Sequence, residues 1–109
     1  MSAITTHVLD TVLGKPAAGI AVRLERQDSA GWVEIAASMT DGDGRCRHLA
    51  ADVPAGDYRF TFDTGEYLKR LGRTSIYPEI VITFTCDGKE HYHLPLLVSD
   101  NCYTTYRGS

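Results

Sequence analysis

Tyr58-Arg59-Phe60-Thr61-Phe62-Asp63 alternates aromatic and polar side chains, and Ile20-Ala21-Val22-Arg23-Leu24-Glu25-Arg26 does the same, setting Ile20, Val22, Leu24 and Arg26 against Ala21, Arg23 and Glu25. A period of two marks a strand with one buried face, because successive side chains point to opposite sides of a sheet. Outward from these two stretches, further candidate strands run over residues 5–10, 32–39, 79–85, 90–98 and 103–107. Turn clusters separate them: Gly14-Lys15-Pro16, Asp41-Gly42-Asp43-Gly44, Pro54-Ala55-Gly56-Asp57 and Asp87-Gly88. Short strands at regular spacing predict an all-β sandwich. One segment breaks the period. Asp63 or Thr64 can cap a short helix through Gly65-Glu66-Tyr67-Leu68-Lys69-Arg70-Leu71, with Gly72 as its stop. At roughly two turns it must be held by packing.

With 109 residues the chain is read as a single domain spanning 1–109, since a second packed unit would lack a core. A net charge of -3 without any Lys/Arg cluster argues against a nucleic-acid surface, where phosphate neutralisation needs concentrated positive charge. No apolar run approaches bilayer length, and Met1-Ser2-Ala3-Ile4 carries neither a basic nor a hydrophobic signal region. The expectation is a cytoplasmic protein without membrane contact. Cys46, Cys86 and Cys102 show no C-x-x-C spacing, and an odd number cannot all close into internal disulfides, so reduced thiols are expected.

The chemistry-bearing residues gather by parity. His91, His93, Pro95 and Leu97 share one face of a strand, while Tyr92, Leu94, Leu96 and Val98 form the more uniformly apolar face that should enter the sandwich. The histidine face is therefore the outer one. Pro95 and Leu97 make it unusually apolar for solvent, which points to a ligand or another subunit. His7 and Leu9 share a face of the first strand, and Thr104 and Tyr106 share one on the last, so pairing these strands would gather His7, His93 and Tyr106 on one surface. Taken singly, a strand histidine is usually structural or solvated, and an arginine after a turn, such as Arg45, is usually a solvated charge. The turn before Arg45 resembles a calcium-loop fragment but lacks the later bidentate Glu and flanking helices. An open zinc site on His7, His91 and His93 is chemically feasible, though no metal is expected. Gly-x-Ser-x-Gly and G-x-G-x-x-G are both missing, so a serine nucleophile or a dinucleotide has no support.

Several separated motifs carry a resemblance. His7-Val8-Leu9-Asp10-Thr11, Gly14-Lys15-Pro16-Ala17, Asp43-Gly44-Arg45, Tyr77-Pro78-Glu79, His91-Tyr92-His93-Leu94-Pro95-Leu96-Leu97 and Tyr106-Arg107-Gly108-Ser109 together resemble the 5-hydroxyisourate hydrolase family, in the family's order and over nearly the whole chain. The Tyr-Arg-Gly-Ser tail is the most specific element, since it separates the hydrolases from transthyretin, the carrier that shares their fold. The resemblance implies a transthyretin-like β-sandwich of two four-stranded sheets with one short helix. It also implies a homotetramer whose subunit interface forms a channel holding the active sites. By motif, the catalytic set falls on His7, Arg45, His93 and Ser109, with Tyr106, Arg107 and Gly108 binding substrate and no cofactor required. His91 is the other half of the His-x-His pair and is not the family's principal catalytic position.

The implied reaction opens the six-membered ring of 5-hydroxyisourate, giving 2-oxo-4-hydroxy-4-carboxy-5-ureidoimidazoline in urate (purine) degradation. Such a site must activate water and stabilise a developing oxyanion. A neutral histidine near its ordinary pKa of about 6.5 can accept the proton, and the sequence reading favours His7 for the first transfer, with His93 orienting water or returning the proton. Arg45 offers a fixed fork of donors for negative charge, and Ser109 can position substrate through its hydroxyl and terminal carboxylate. The alternative is a transthyretin-like small-ligand binding protein without catalysis. Tyr106 is the discriminator, because a bulky residue narrowing the channel favours a small planar purine derivative. One stretch departs from the family pattern: Val98-Ser99-Asp100-Asn101-Cys102 stands where Leu-Ser-Pro-Tyr is common, losing a proline that would stiffen the turn.

Overall fold

The alternating stretches become strands, and the computed structural model describes them over residues 1–46 and 49–109. In chain order the elements are β1 (Ser2–Asp10), β2 (Lys15–Pro16), β3 (Ala21–Asp28), β4 (Gly31–Met39), β5 (Ala50–Val53), β6 (Gly56–Phe62), α1 (Thr64–Arg70), β7 (Ile80–Cys86), β8 (Tyr92–Val98) and β9 (Tyr103–Thr105). One sheet runs β2-β1-β8-β9, and the other runs β4-β3-β6-β7. The second sheet has the expected four strands; the first gains a fifth, because β5 also pairs with β1. β5 was missed because Ala51 and Asp52 are both exposed, so the segment has no alternation to read. Lys15–Pro16, read as a turn, makes a two-residue pairing with the end of β1.

The two inner faces meet as parity requires. Ile4, Val8, Leu94, Leu96 and Val98 come from the first sheet and Val22, Leu24, Tyr58, Phe60, Phe62 and Ile80 from the second, all buried. The Phe60 ring centre lies 5.3 Å from that of Phe62 and 5.5 Å from that of Phe84. Phe60 and Phe62, fully buried, each contribute about 1.5–3 kcal/mol by leaving water. β1 and β8 run parallel, with Thr5 opposite His93 and His7 opposite Pro95. That register decides the geometry of the outer face.

The helix forms where expected, but its start is held differently. Asp63 occupies the cap position without a side-chain cap bond, and the Gly65 N–H instead donates to the Pro78 carbonyl at 3.1 Å. A side chain at Gly65 would run into that carbonyl. At the other end Gly72 takes φ 72°, which lets the Arg73 N–H reach back to the Leu68 carbonyl at 2.9 Å.

Asp10 ends β1 inside the protein, its side chain fully buried. Its Oδ1 accepts the N–H groups of Val12 and Leu13, and its Oδ2 accepts the Tyr67 hydroxyl at 2.8 Å and Nη1 of Arg73. Burial raises the Asp10 pKa, but the bonds from Arg73, Leu13 and Tyr67 outweigh it and hold the carboxyl below its ordinary value. Burial, and then the carboxylate it touches, push Tyr67 up to about 12. Arg73 also pairs with Asp100 at 2.7 Å, and the Ile76 N–H donates to Asn101 Oδ1 at 2.9 Å. The turn that lacks the expected proline is thus tethered by the two residues that replace it. Cys46 and Cys86 are buried and Cys102 is exposed, all three unpaired as expected. Among the described residues no helix is long and apolar enough to cross a membrane.

Candidate active site

His93 sits near the middle of the outer face of the first sheet, half-buried, between β1 on one side and the C-terminal tail on the other. Across the parallel ladder, Thr5 Oγ1 lies 2.8 Å from His93 Nδ1 and 2.9 Å from His91 Nε2. The two imidazole centres are 6.4 Å apart, and His91 is the exposed member. On the opposite flank the Gly108 N–H donates to the His93 carbonyl at 2.7 Å. A Cβ added at Gly108 would stand 2.7 Å from His93 Cδ2 and 3.2 Å from Pro95 Cγ. The glycine is required by this close approach of tail to ring.

Arg45 arrives from the tight turn at residues 41–44. Asp41 Oδ1 accepts the N–H groups of Asp43 and Arg45 at 2.9 and 3.0 Å, so the carboxylate that resembled a calcium ligand organises its own turn. Gly44, at φ 77°, lies so close to the Val8 carbonyl that any side chain would collide with it. Its own carbonyl accepts the Val8 N–H at 2.8 Å, which seats Arg45 in a bridge opposite His7. His7 Nε2 is 2.7 Å from the Asp43 carbonyl. A carbonyl only accepts, so Nε2 carries the proton and Nδ1 is the basic nitrogen of a neutral His7.

These elements line an open pocket of about 350 Å³ whose walls include Thr5, Arg45, Cys46, His91, His93 and Ser109. Burial first, then the positive charge of Arg45 and the neighbouring His91 and His7, lower the His93 pKa below 6.5. The ring is therefore neutral at pH 7 and able to accept a proton. Burial pushes the Cys46 thiol up, which leaves it protonated and unsuited to act as a nucleophile. A neutral imidazole, with Arg45 and Ser109 lining the same pocket, can activate water, stabilise an oxyanion and position a polar substrate.

A family model described as HIUase/Transthyretin family matches residues 4–108. The chain belongs to the HIUase/transthyretin family. A mouse protein named 5-hydroxyisourate hydrolase is 43% identical to it, with 99% of this chain and 96% of the relative covered. Among solved structures, the 5-hydroxyisourate hydrolase of Klebsiella pneumoniae matches with a TM-score of 0.89 at 38% identity, covering 100% of this chain and 94% of that one. Transthyretin from the fish Sparus aurata matches with a TM-score of 0.92 at 33% identity, covering 96% of this chain and 95% of that one.

Of the residues that the family motifs single out, Arg45, His93, Gly108 and Ser109 converge, and His7 stands beside them on β1. Tyr106 and Arg107 do not join them in the single chain. They border a different cavity of about 430 Å³ with Ile82, Phe84, Tyr92 and Leu94, where the Arg107 guanidinium lies 4.3 Å over the Tyr92 ring and pairs with Glu90 at 3.0 Å. The cause is Pro95. Alternate residues of β8 bond toward β9, and at its turn Pro95 has no N–H to give. Its carbonyl takes the Thr105 hydroxyl at 2.9 Å instead, the ladder lapses, and pairing resumes only at Gly108. Thr5 is the site residue the sequence reading passed over. Its two-residue offset from His7 was the available signal, since it sets both on one face. His7, His91 and His93 do not converge as ligands: among the described residues no group of three or more His, Cys, Asp or Glu is arranged to hold a metal ion.

Proposed function

We propose that this protein hydrolyses 5-hydroxyisourate in urate degradation, with His93 rather than His7 as the general base. The observation that carries the reading is the cavity in which Arg45, His93 and Ser109, drawn from three separate parts of the chain, meet around a neutral imidazole. Two of the relatives bear the name of that hydrolase. His93 takes a proton from water as the oxygen attacks the amide-type carbonyl of the six-membered ring. The Arg45 guanidinium faces the negative charge that develops on the carbonyl oxygen, which favours the transition state over the ground state. The imidazolium then returns its proton to the leaving ring nitrogen, and the Ser109 hydroxyl holds the substrate's polar edge. His7, whose Nε2–H is engaged by Asp43, aligns the approach from the β1 side.

Transthyretin-like ligand binding without catalysis is the second reading, favoured by the fold itself, which matches Sparus aurata transthyretin as closely as it matches the hydrolase. Fold likeness cannot separate the two, so the chemistry of the cavity must. The outer face of His93, Pro95 and Leu97, on which His93 and Leu97 stay half-buried, supports a homotetramer with sites at the subunit interface, in which Tyr106 and Arg107 would approach substrate. The test is to generate 5-hydroxyisourate from urate with urate oxidase and follow its ultraviolet absorbance. Decay accelerated by the wild type, and slowed about a hundredfold or more in His93→Gln, is expected. Decay unchanged by the wild type would favour the carrier, and sedimentation reads the assembly in the same samples.

A further inference from the structure

We propose that Thr5 is a positioning residue that decides which nitrogen of His93 carries the proton, by sharing its single hydroxyl between the two rings of the His-x-His pair. The proposal rests on His93 being the base. Thr5 Oγ1 is within hydrogen-bond distance of both His93 Nδ1 and His91 Nε2, at 2.8 and 2.9 Å. A hydroxyl has one proton to donate, and each neutral imidazole has one N–H. With one proton and two lone pairs, the hydroxyl can donate to at most one ring, so at least one of the two contacts is an imidazole N–H donated to Thr5. The two rings cannot both turn a lone pair to it.

Three arrangements satisfy this constraint. In two of them His93 Nδ1–H donates to Thr5, while His91 Nε2 either accepts the Thr5 proton or donates to Thr5 as well, and both leave His93 Nε2 with a lone pair. In the third, Thr5 donates to His93 Nδ1, and His93 Nε2 is protonated and cannot act as base. The surroundings disfavour the third. His91 is exposed, so its Nδ1 can be met by water in either tautomer, whereas His93 is half-buried and Thr5 is the acceptor its Nδ1–H finds. An imidazole free in water prefers its proton on Nε2, so without the hydroxyl the unproductive form predominates. The backbone sets this device accurately, because Thr5 and His93 are direct partners in the β1–β8 ladder and Gly108 closes the other side of the ring. Thr6, the adjacent hydroxyl, faces inward and donates to the Leu94 carbonyl at 2.7 Å, so it cannot substitute.

The test compares wild type, Thr5→Val, which keeps the shape and removes the hydroxyl, and Thr5→Ser, which restores it. Histidine ring 15N shifts at about pH 8.5, well above the ordinary histidine value, report the tautomer directly. His93 should be protonated on Nδ1 in the wild type and Thr5→Ser, and on Nε2 in Thr5→Val. The kcat of Thr5→Val should fall about ten- to a hundredfold, with KM little changed and most of the loss recovered by serine. A His93 still protonated on Nδ1 in Thr5→Val, or protonated on Nε2 in Thr5→Ser, would overturn the proposal. The NMR arm needs no turnover, so a failed assignment of His93 as base, seen as full activity in His93→Gln, is distinguishable from a failed tautomer assignment.

Discussion

Gly108→Ala adds one methyl group where the tail crosses His93. The new carbon would stand 2.7 Å from His93 Cδ2 and 3.2 and 3.3 Å from Cγ and Cδ of Pro95. Carbon atoms rest at about 3.5–4.0 Å, so something must give by about 1 Å. Pro95 is buried and closes one direction, leaving two ways to relax. If the His93 ring turns aside, its Nδ1 leaves the Thr5 hydroxyl. If the tail lifts, the 2.7 Å bond from the Gly108 N–H to the His93 carbonyl opens and Ser109 withdraws from the cavity. Either route misplaces a reacting group by about 1 Å, which costs roughly a hundredfold in turnover. Stability should fall less, by about 1–2 kcal/mol, because the overlap lies on the outer face of the sheet and not in the core. The assay is 5-hydroxyisourate decay, with thermal unfolding and sedimentation as controls. Gly42→Ala is the matched control, since a Cβ there meets nothing within 4 Å and requires no left-handed backbone. Wild-type turnover in a folded Gly108→Ala protein would refute the reasoning.

Two further predictions concern pH. The acid limb of kcat/KM should lie below pH 6.5, because burial and then the charge of Arg45 lower the His93 pKa, and the base works only while neutral, so activity is lost as pH falls through that lowered value. Arg45→Gln should shift the limb upward as well as lower the plateau; a limb that stays fixed would remove Arg45 from the electrostatics of His93. Asp10→Asn should destabilise the fold by about 2–4 kcal/mol at neutral pH, since it weakens a buried carboxylate held by Arg73 and Tyr67. The native Asp10 pKa is held below 3.8, so this contribution is fully present above that value and is lost as pH falls through the native one. Thermal unfolding should therefore separate the two proteins steadily down to about pH 4 and converge only below it; a gap that closes at pH 5 or 6 would point to another group.

What the sequence determined by itself is the facing of each strand. The period of two put Phe60 and Phe62 inside and His93 outside, and parity needs only the chain's own pleat. The helix at residues 64–70 was legible for the same reason, because Gly72 and the break in alternation are local signals. Tertiary structure decided which residues became neighbours. Thr5 and His93 are separated by 88 positions, and whether they meet depends on the register of two parallel strands, which is set by the packing of the whole sandwich. The missing N–H of Pro95 also acts only through a partner: it leaves the ladder open at residues 106 and 107 because β9 lies beside it. The fifth strand, Ala50–Val53, forms because the start of β1 has an edge to be paired, a demand that its own residues do not announce. Sidedness is a property of one strand, while register and edge pairing belong to the sheet and emerge only when the strands assemble.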